Sequence, residues 1–406
     1  MMETLLDSLK EKEVWQTFYS DKKERNQLRK KELQELDRFI EEERYLSVTE
    51  NLSFSYPVKR QLTKLGSNKK RTVYSYTDDE MWVLKLLAYL LYRYDGKISE
   101  SCYSFRRKAT AKTAFDKIRK IPEIDSRYVL KLDIHDYFNS IDVGQLLEVL
   151  KEIIDDDPPL YEFMKELLTQ DRCVWNGEVI QEKRGAMAGI PLASFFANVY
   201  LLELDHYFEE EEIPYFRYSD DMILFFGDEK QLQEHEPVLK DILERKKLTL
   251  NEEKYHLSLP GEAWDFLGFS YCHGQIDLSD VTVHKMQGKV RRKAMKLYRY
   301  RKKNHLPYEK VARTMIRSFD YKFYDLTGNN DFTWTRFYFP VITCADGLEK
   351  IDRYMLEYLR YLYSGRHYKG NYAVRYETLK KLGYTPIKAE YYHWKKENER
   401  LLRNRM

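Results

Sequence analysis

The pattern of apolar and polar positions predicts a chain built from both helices and short strands. Residues 78–95 carry apolar side chains at three- and four-residue intervals, which indicates a buried helix. Residues 72–76 and 128–134 alternate between two faces, as strands do. Residues 215–226 form two short aromatic and aliphatic runs around a Ser-Asp-Asp corner, which indicates a β-hairpin. The mixture predicts an α+β fold.

Both ends of the chain have helical patterns. Residues 1–47 form a broken apolar stripe among many Lys and Glu residues, which is typical either of a solvated helix packed on the main body or of a partner-binding arm. Residues 307–325 and 346–363 repeat apolar side chains at helical spacing. The C-terminal part of the chain is therefore predicted to be helical.

The composition supplies enough apolar surface for two or three domains and favours a reducing compartment. Apolar residues make up 43% of the 406 residues and aromatic residues 15%, with 34 Tyr. The four Cys residues form no C-x-x-C pair, which argues against a disulfide framework or a zinc site and favours the cytoplasm. The sequence shows neither a signal-peptide core nor a long uninterrupted apolar stretch, so no membrane partner is expected.

Positive charge is concentrated locally, because the net charge of the whole chain is only +3. Residues 285–303 contain ten basic residues and no acidic one, with two tyrosines between them. This density on one helix predicts contact with a nucleic-acid backbone. The candidate residues are Arg291, Arg292, Lys293, Lys296 and Arg299. A second basic stretch, residues 57–76, predicts a hairpin suited either to phosphate contact or to an ordinary solvated surface.

Three carboxylates occupy positions where a charge is costly unless it is paired or bound to a metal. Asp133 ends a mostly apolar strand, and Asp220 and Asp221 are adjacent like charges at the tip of the predicted hairpin. Most Asp pairs in turns are simply solvated, so this pair alone does not identify a site. A glycine-rich loop followed by a helix, residues 184–202, adds Gly189, where the backbone can approach a ligand closely.

The order of these segments resembles the palm of the reverse transcriptases, specifically the prokaryotic group related to group II intron and retron enzymes. Residues 131–138 resemble the first palm motif, residues 184–201 the second and residues 218–221 the third. Ser219 stands where many relatives have Ala, which bears on fidelity rather than on activity. The resemblance covers about residues 50–275 and implies a right-hand polymerase with fingers, an antiparallel-sheet palm and a helical thumb.

The resemblance also implies roles for individual residues. The catalytic residues and metal ligands would be Asp133, Asp220 and Asp221, with the Ile134 carbonyl as an additional ligand. They would hold two Mg²⁺ ions, for which Mn²⁺ could substitute. The implied nucleotide-binding residues are Lys69, Arg71, Asp136, Tyr137, Phe138, Gly189, Pro191, Asn198 and Lys254. The implied primer grip is Phe266, Leu267 and Gly268, and Arg106 is implied as a nucleic-acid contact of the fingers.

Two of these residues have an ordinary structural alternative. Phe138 stands where reverse transcriptases place a bulky ring that would clash with a ribose 2′ hydroxyl and so favour a DNA product; otherwise it is a core residue. Lys254 is either an acid for the leaving pyrophosphate or a plain surface lysine. Among the basic residues of the fingers, Arg71 is the expected direct contact to the triphosphate.

The resemblance implies a division into four regions. Residues 1–50 would form an N-terminal helical extension, residues 51–125 the fingers, residues 126–275 the palm with some fingers elements, and residues 276–406 the thumb or C-terminal nucleic-acid-binding domain. The implied activity is RNA-directed DNA polymerisation from dNTPs on a noncoding RNA template, with a DNA product. Residues 346–384 also resemble the C-terminal region of defence-associated reverse transcriptases, which implies a role against phage.

Several alternatives stay open from the sequence. The enzyme could extend DNA without a template, primed from one of its own tyrosines as in the abortive-infection type. It could be a catalytically idle RNA-binding scaffold, or a retron-type enzyme that makes a branched RNA–DNA. Assembly into a homo-oligomer is neither indicated nor excluded.

Overall fold

The structure is a computed structural model that describes residues 4–63, 70–324 and 333–403. Helices and short strands are mixed throughout, with antiparallel sheets, so the predicted α+β class is confirmed. The chain divides into two compact units, Met1–Gly261 and Glu262–Met406. Within the described ranges, no helix is both long enough and apolar enough to cross a membrane.

The elements of the N-terminal unit follow one another in short connections. Its described helices are α1 (Leu5–Ser8), α2 (Lys12–Glu24), α3 (Lys30–Glu41), α4 (Arg44–Thr49), α5 (Asp78–Leu90), α6 (Ala111–Ile118), α7 (Tyr137–Ser140), α8 (Val143–Ile153), α9 (Pro158–Thr169), α10 (Ala193–Tyr200), α11 (Leu202–Glu210) and α12 (Glu229–Arg245). Short 3₁₀ helices cover Leu91–Lys97, Ile124–Ser126 and Glu252–Lys254. Its described strands are β1 (Val58–Thr63), β2 (Lys70–Ser75), β3 (Tyr128–Asp133), β4 (Arg172–Trp175), β5 (Glu178–Gln181), β6 (Tyr215–Tyr218), β7 (Asp221–Phe226) and β8 (His256–Ser258).

The central sheet of this unit has the order β6-β7-β3-β8 and is antiparallel throughout. The predicted hairpin of β6 and β7 therefore lies beside the strand that ends in Asp133. One face of the sheet contributes to the main hydrophobic core, together with residues of α8 and α10. The buried residues of this layer include Leu130, Leu132, Met222, Leu224, Leu146, Leu150 and Phe196.

A second sheet has the order β2-β1-β4-β5. Strands β1 and β2 form the predicted basic hairpin, in which Val58 pairs with Ser75 and Thr63 with Lys70. This hairpin is joined to the rest of the unit where β1 runs parallel to β4.

The N-terminal helices pack on the body of the first unit. Trp15, Phe18 and Phe39 are buried, and the rings of Trp15 and Phe39 lie 5.2 Å apart. The backbone N–H of Leu5 donates to the buried carboxylate of Asp157 over 2.8 Å, and Asp157 also caps α9. These contacts favour a structural role for the segment over a free partner-binding arm.

The C-terminal unit is built from a small antiparallel sheet and long helices. Its sheet has the order β11-β10-β9, from β9 (Trp264–Phe266), β10 (Phe269–Cys272) and β11 (Gln275–Leu278). Its described helices are α13 (Asp280–Lys303), α14 (Tyr308–Phe323), α15 (Trp334–Phe337), α16 (Asp346–Ser364), α17 (Tyr376–Lys381) and α18 (Ile387–Arg403), with a 3₁₀ turn at Lys369–Ala373. The unit begins before residue 276 because these three strands form a sheet of their own.

One predicted helix boundary differs from the structure. The sequence pattern predicts a helix that opens at Ser104, but α6 begins only at Ala111. Residues 104–110 are irregular, and Phe105 has a left-handed backbone with φ of 52°. The reason is tertiary, because the N–H of Tyr103 donates to the carbonyl of Arg217 over 2.8 Å and holds this segment against β6.

Candidate active site

Adjacent strands bring the three predicted carboxylates to one end of the central sheet. Asp133 is the last residue of β3 and lies directly opposite Asp221, the first residue of β7. The N–H of Ile134 donates to the carbonyl of Asp220 over 3.2 Å, which joins the strand end to the hairpin turn. Carboxylates that are far apart in the sequence therefore meet through strand pairing.

The protonation of these carboxylates reflects their burial and mutual repulsion. Burial raises the pKa of Asp220, and the negative charge of Asp133 raises it further. The positive charges of Lys254 and Arg71 act in the opposite direction on Asp220. Burial is also the main cause that raises the pKa of Asp221 to about 6. Since Asp221 Oδ1 is buried and has no hydrogen-bond partner among the described residues, the site suits a bound cation.

Asp133 has protein partners on both carboxylate oxygens. Asn251 Nδ2 donates to Oδ1 over 3.0 Å, and the Lys254 ammonium forms an ion pair with Oδ2. The N–H of Asn251 also donates to the Asp133 carbonyl over 2.8 Å. In the part of the chain that the structure describes, no three His, Cys, Asp or Glu side chains form a ready metal-ligand cluster. Because Lys254 already pairs with Asp133, a cation that binds here must compete with Lys254 for this carboxylate.

The buried side chain of Ser104 holds the turn that carries Asp220 and Asp221. Ser219 has a left-handed backbone, with φ of 62°, which is costly for a residue other than glycine. Its N–H donates to Ser104 Oγ over 2.9 Å. Ser104 Oγ donates in turn to Asn198 Oδ1 over 3.0 Å, and Asn198 Nδ2 donates to the Ser104 carbonyl over 2.8 Å. The backbone immediately before Asp220 is thus held by a side chain from another segment.

A fully buried ion pair anchors the strand that leads into this turn. Arg217 on β6 and Asp205 on α11 both have 0% of their side chains exposed. Arg217 Nε donates to Asp205 Oδ1 over 2.7 Å, and the Tyr215 hydroxyl donates to the same oxygen over 3.1 Å. Arg217 Nη2 also donates to the Asn198 carbonyl over 3.0 Å. The network connects α10, α11 and the hairpin into one rigid support.

Replacing Ser104 with alanine tests this support. We expect Ser104→Ala to cost about 1–3 kcal/mol of unfolding free energy, because it leaves the Ser219 N–H and the Asn198 amide oxygen without their partner. It should also weaken Mn²⁺ binding severalfold, measured by electron paramagnetic resonance without nucleotide. Thr49→Val is the matched control, because it removes a buried hydroxyl that bonds only to helix carbonyls of α4. Unchanged Mn²⁺ affinity in Ser104→Ala would contradict the positioning role.

The expected contacts to the triphosphate lie on and beside the basic hairpin. Arg71 is exposed on β2 and is close enough to Asp220 to favour its ionised form. Lys69 lies outside the described residues. Asp136 is exposed, and its Oδ1 accepts a hydrogen bond from Asn139 Nδ2 over 3.0 Å. Arg71 and Asp136 remain accessible to a ligand, as the prediction requires.

The glycine-rich loop is packed against protein backbone. Gly189 has φ of 106°, and a Cβ on it would lie 2.8 Å from the Tyr74 carbonyl. The Tyr74 N–H donates to the Ala188 carbonyl over 2.7 Å, so glycine is required for the contact with β2. Pro191 is half-buried just before α10, and Phe138, also half-buried, accepts the Ala186 N–H on its carbonyl over 2.8 Å.

Three residues predicted to contact nucleotide or nucleic acid use their side chains in hydrogen bonds within the protein. Asn198 is buried and uses its amide on Ser104. Tyr137 is buried, and its hydroxyl donates to the Ala197 carbonyl over 2.5 Å. Arg106 donates to the carbonyls of Ser99, Cys102 and Asp95. These polar groups satisfy buried or loop groups that sequence patterns do not reveal, and the predicted contacts of the three residues with nucleotide or nucleic acid stay predictions.

The predicted primer-grip residues form a tight hairpin in the C-terminal unit. Phe266 is buried at the end of β9, and Leu267 and Gly268 have φ of 51° and 86°, as a two-residue turn with left-handed residues requires. The Gly268 carbonyl accepts the Thr282 hydroxyl over 2.9 Å, which ties the turn to α13. The backbone angles are those of a tight hairpin turn, and the role of this turn in holding a primer stays a prediction.

The predicted basic helix is present as α13. The side chains of Arg291, Arg292, Lys296 and Arg299 are exposed, and that of Lys293 is half-buried. The pKa of Lys289 is lowered by partial desolvation and then by the positive charges of Lys322, Arg292 and Lys285. Such crowding of like charges is unfavourable in the protein alone, and an anionic partner would relieve it.

Comparison with known proteins identifies the family. The sequence model described as Reverse transcriptase (RNA-dependent DNA polymerase) matches residues 59–271, which is just over half of the chain. The chain therefore belongs to the reverse transcriptase family, whose members are RNA-directed DNA polymerases and so nucleotidyltransferases. No curated protein matches the chain.

The solved structures similar to this chain include three yeast telomerases. A truncated apo telomerase of Candida tropicalis is 12% identical, with a TM-score of 0.45, and covers 56% of this chain and 55% of its own. Candida albicans telomerase in complex with a fragment of telomeric RNA is 12% identical, with a TM-score of 0.45, and the match covers 88% of this chain and 70% of the telomerase chain. Apo telomerase of Candida tropicalis is 11% identical, with a TM-score of 0.47, and the match covers 82% of this chain and 60% of the telomerase chain. This chain thus spans little more than half of the first.

Reverse transcriptases generally use divalent metal ions, and the residues of this site fit such ions. Asp133, Asp220 and Asp221 supply hard carboxylate oxygens, which magnesium and manganese prefer. The raised pKa values of Asp220 and Asp221 and the unpartnered Asp221 Oδ1 are the features that a bound cation would compensate. Asn251, which donates to Asp133, and Ser104, which holds the turn before Asp220, were not predicted as site residues, because these contacts join segments that are far apart in the sequence.

Proposed function

We propose that this chain is an RNA-directed DNA polymerase that requires Mg²⁺ and makes DNA from dNTPs on a noncoding RNA template. The observation that carries the proposal is the register of β3 and β7, which sets Asp133 opposite Asp221 and beside Asp220. Asp133, Asp220 and Asp221 would hold the ions, with the Ile134 carbonyl as a further ligand. When bound, the ions would stabilise the attacking and leaving oxygens of an in-line displacement.

The protein's own residues would orient the substrates and move protons. Arg71 would contact the triphosphate as a fixed charge, supported by its exposure and its proximity to Asp220. Lys254 would leave Asp133 when a cation binds, which would free its ammonium to donate a proton to the pyrophosphate. The exposed cations of α13 would follow the backbone of the template and primer.

Within this proposal, residues 1–50 form an N-terminal helical extension, residues 51–125 act as fingers, residues 126–275 as palm with some fingers elements, and residues 276–406 as thumb or C-terminal nucleic-acid-binding domain. The likeness of the palm motifs to prokaryotic enzymes supports a bacterial setting. The further likeness of residues 346–384 supports a role in antiphage defence, in the cytoplasm. Mn²⁺ is expected to replace Mg²⁺. The molar mass of the purified chain in solution would show whether it forms a homo-oligomer.

The proposal is tested by primer extension with the purified chain. We expect extension of a DNA primer on an RNA template only when dNTPs and Mg²⁺ or Mn²⁺ are present. The carboxylate variant Asp220→Asn,Asp221→Asn serves as the inactive control. DNA that becomes covalently attached to the protein without any template would instead identify protein-primed synthesis. Absence of any nucleotide incorporation by the wild-type chain would reject the polymerase and leave an RNA-binding scaffold.

The half-buried ring of Phe138 predicts the choice of sugar. We expect Phe138→Ala to reduce the preference for dNTPs over rNTPs at least about tenfold, because the smaller side chain leaves room for a 2′ hydroxyl. The ratio of kcat/KM values for dCTP and CTP measures this preference. Phe195→Ala, which truncates another half-buried phenylalanine on α10, is the control. A ratio unchanged from wild type would show that Phe138 is only a packing residue.

A further inference from the structure

The two longest segments of the C-terminal unit without acidic residues meet at one end of that unit. Residues 281–308 and 358–376 contain no Asp or Glu. The Tyr298 hydroxyl donates to the Ser364 carbonyl over 2.9 Å. Arg301 Nη1 donates to the carbonyls of Leu362 and Tyr363, each over 2.7 Å. The C-terminal end of α13 is thereby fixed to the C-terminal end of α16.

The loop that follows α16 is held in place by its own polar side chains. Asn371 is only 4% exposed, accepts the Ser364 hydroxyl on Oδ1 over 2.6 Å and donates to the Arg366 carbonyl over 2.5 Å. At the other end of the loop, Arg360 Nε donates to the carbonyl of buried Val374 over 3.2 Å. These bonds fix residues 366–373 from beneath, and His367 Nδ1 of the same loop lies 2.7 Å from Glu357 Oε1 on α16.

The outer side chains of this loop are aromatic and cationic. Tyr368 is 54% and Tyr372 is 67% exposed. The Arg360 guanidinium lies 4.7 Å from the ring centroid of Tyr372, and Arg366 and Lys369 are exposed on either side of Tyr368. We call Arg366, Tyr368, Lys369 and Tyr372, together with Arg360 of α16, the tyrosine loop. Two further exposed rings stand on the segments that meet here, Tyr300 at 55% and Tyr363 at 48%.

This combination matches the chemistry of an unpaired nucleic-acid strand. Large exposed rings on a fixed backbone are unfavourable in water, so they indicate a surface that is covered by a partner. Nucleobases that are not paired stack on tyrosine faces, and arginine and lysine contact the phosphates between them. Bases inside a duplex do not expose their faces, so a duplex could use only the charges. The loop offers no large exposed aliphatic side chain that would favour a protein partner, since its one exposed aliphatic residue is the small Ala373.

We propose that the tyrosine loop binds a single-stranded segment of RNA, with Tyr368 and Tyr372 stacking on bases and Arg366 and Lys369 contacting phosphates. The choice of RNA over DNA rests on the proposed function, which makes RNA the template. The binding surface itself rests only on the C-terminal unit and does not depend on polymerase activity. It differs from the backbone contacts assigned to α13 because it requires unpaired bases.

The test compares single-stranded and duplex ligands with the full chain. Fluorescence anisotropy would measure the Kd of a labelled unstructured RNA, of single-stranded DNA of the same sequence, and of an RNA–DNA duplex. We expect Tyr368→Ala,Tyr372→Ala to raise the Kd for single-stranded RNA at least about tenfold, since two rings that stack on bases would be lost. The Kd for the duplex should change less than about twofold by the same reasoning.

Matched variants separate stacking from charge. Tyr321→Ala and Tyr392→Ala remove rings that are 67% and 50% exposed elsewhere in the unit, and they should leave the Kd unchanged. Arg366→Gln,Lys369→Gln should weaken RNA binding and reduce the salt dependence by about one to two ions. Because all these side chains are exposed, the variants are expected to fold normally, which circular dichroism would verify.

Several results would overturn the proposal. Wild-type affinity for single-stranded RNA in the double tyrosine variant would remove the stacking role. An effect restricted to DNA would remove the assignment to RNA, and binding of an acidic peptide in place of RNA would identify a protein-docking surface. Primer extension, measured in parallel on a pre-annealed template, separates the two proposals. A chain that is inactive yet loses RNA binding in the variant would reject the polymerase and support the tyrosine loop.

Discussion

Replacing Asp220 and Asp221 together with asparagine will abolish DNA synthesis and at the same time stabilise the N-terminal unit. Loss of both metal ligands should lower the rate of nucleotide addition by at least about 10³-fold. The gain in stability follows from removing carboxylates that burial and the charge of Asp133 destabilise. A raised pKa of this size corresponds to about 1–3 kcal/mol of unfolding free energy.

The pH dependence gives this prediction a definite sign. The pKa of Asp221 in the folded chain, about 6, lies above its ordinary value of 3.8, so the folded state binds the proton more tightly than the unfolded state. The contribution of Asp221 to stability is therefore fully present below the ordinary value and is lost as the pH rises through about 6. Without divalent ions, wild-type stability should rise as the pH falls through this window.

Urea unfolding in the presence of a chelator measures both effects. The double asparagine variant should be more stable than wild type near neutral pH and should show less of the gain on acidification. Asp241→Asn is the control, because it removes an exposed carboxylate that only forms an i,i+4 ion pair on α12. Lower stability in the asparagine variant than in wild type would refute the view that the carboxylates are held at a cost.

Breaking the buried ion pair beneath the turn should have the largest effect on stability. We expect Arg217→Met to cost about 3–5 kcal/mol, because Asp205 would remain buried without its cation. The second change, Asp205→Asn in the same chain, should recover a substantial part of that loss, since it removes the uncompensated charge. A double-mutant cycle by urea unfolding measures the coupling between Arg217 and Asp205.

The same variants distinguish structural support from chemistry. If the ion pair serves the active site through the hairpin, Arg217→Met should also weaken Mn²⁺ binding in the folded protein. Arg245→Met, which breaks exposed pairs with Glu203 and Asp241, should change stability by less than about 1 kcal/mol and is the matched control. A loss of less than about 1 kcal/mol in Arg217→Met would contradict the assigned role, given what buried pairs cost to break.

The two predictions concern one arrangement of charge. Asp133, Asp220 and Asp221 gather negative charge at one end of the sheet, and the structure around them resists the mutual repulsion that would separate them. Arg217 and Asp205 hold the strand, and Ser104 holds the turn. An active site of this kind stores electrostatic repulsion in the protein, and a bound cation is what would relieve it.

Local patterns predicted several of the helices and strands and the choice of chemistry. Strand alternation and the apolar runs around the Ser-Asp-Asp corner predicted the hairpin, and the helical spacing predicted α5, α13, α14 and α16 with small errors at their ends. The motif order predicted the family, because the palm motifs are short, local and strongly constrained by their chemistry. The three carboxylates were named on this basis, and their metal-binding role remains a prediction.

The sequence by itself determined strand β3, the hairpin of β6 and β7, the helices α5, α13, α14 and α16, and which carboxylates are candidates for metal binding, since periodicity and turn chemistry are local properties. Only the tertiary structure decided that Asn198, Tyr137 and Arg106 are used inside the fold, because their partners are backbone groups of distant segments. The same holds for the contacts of Ser104 and Asn251, which exist only after β3, β6 and β7 have been brought together.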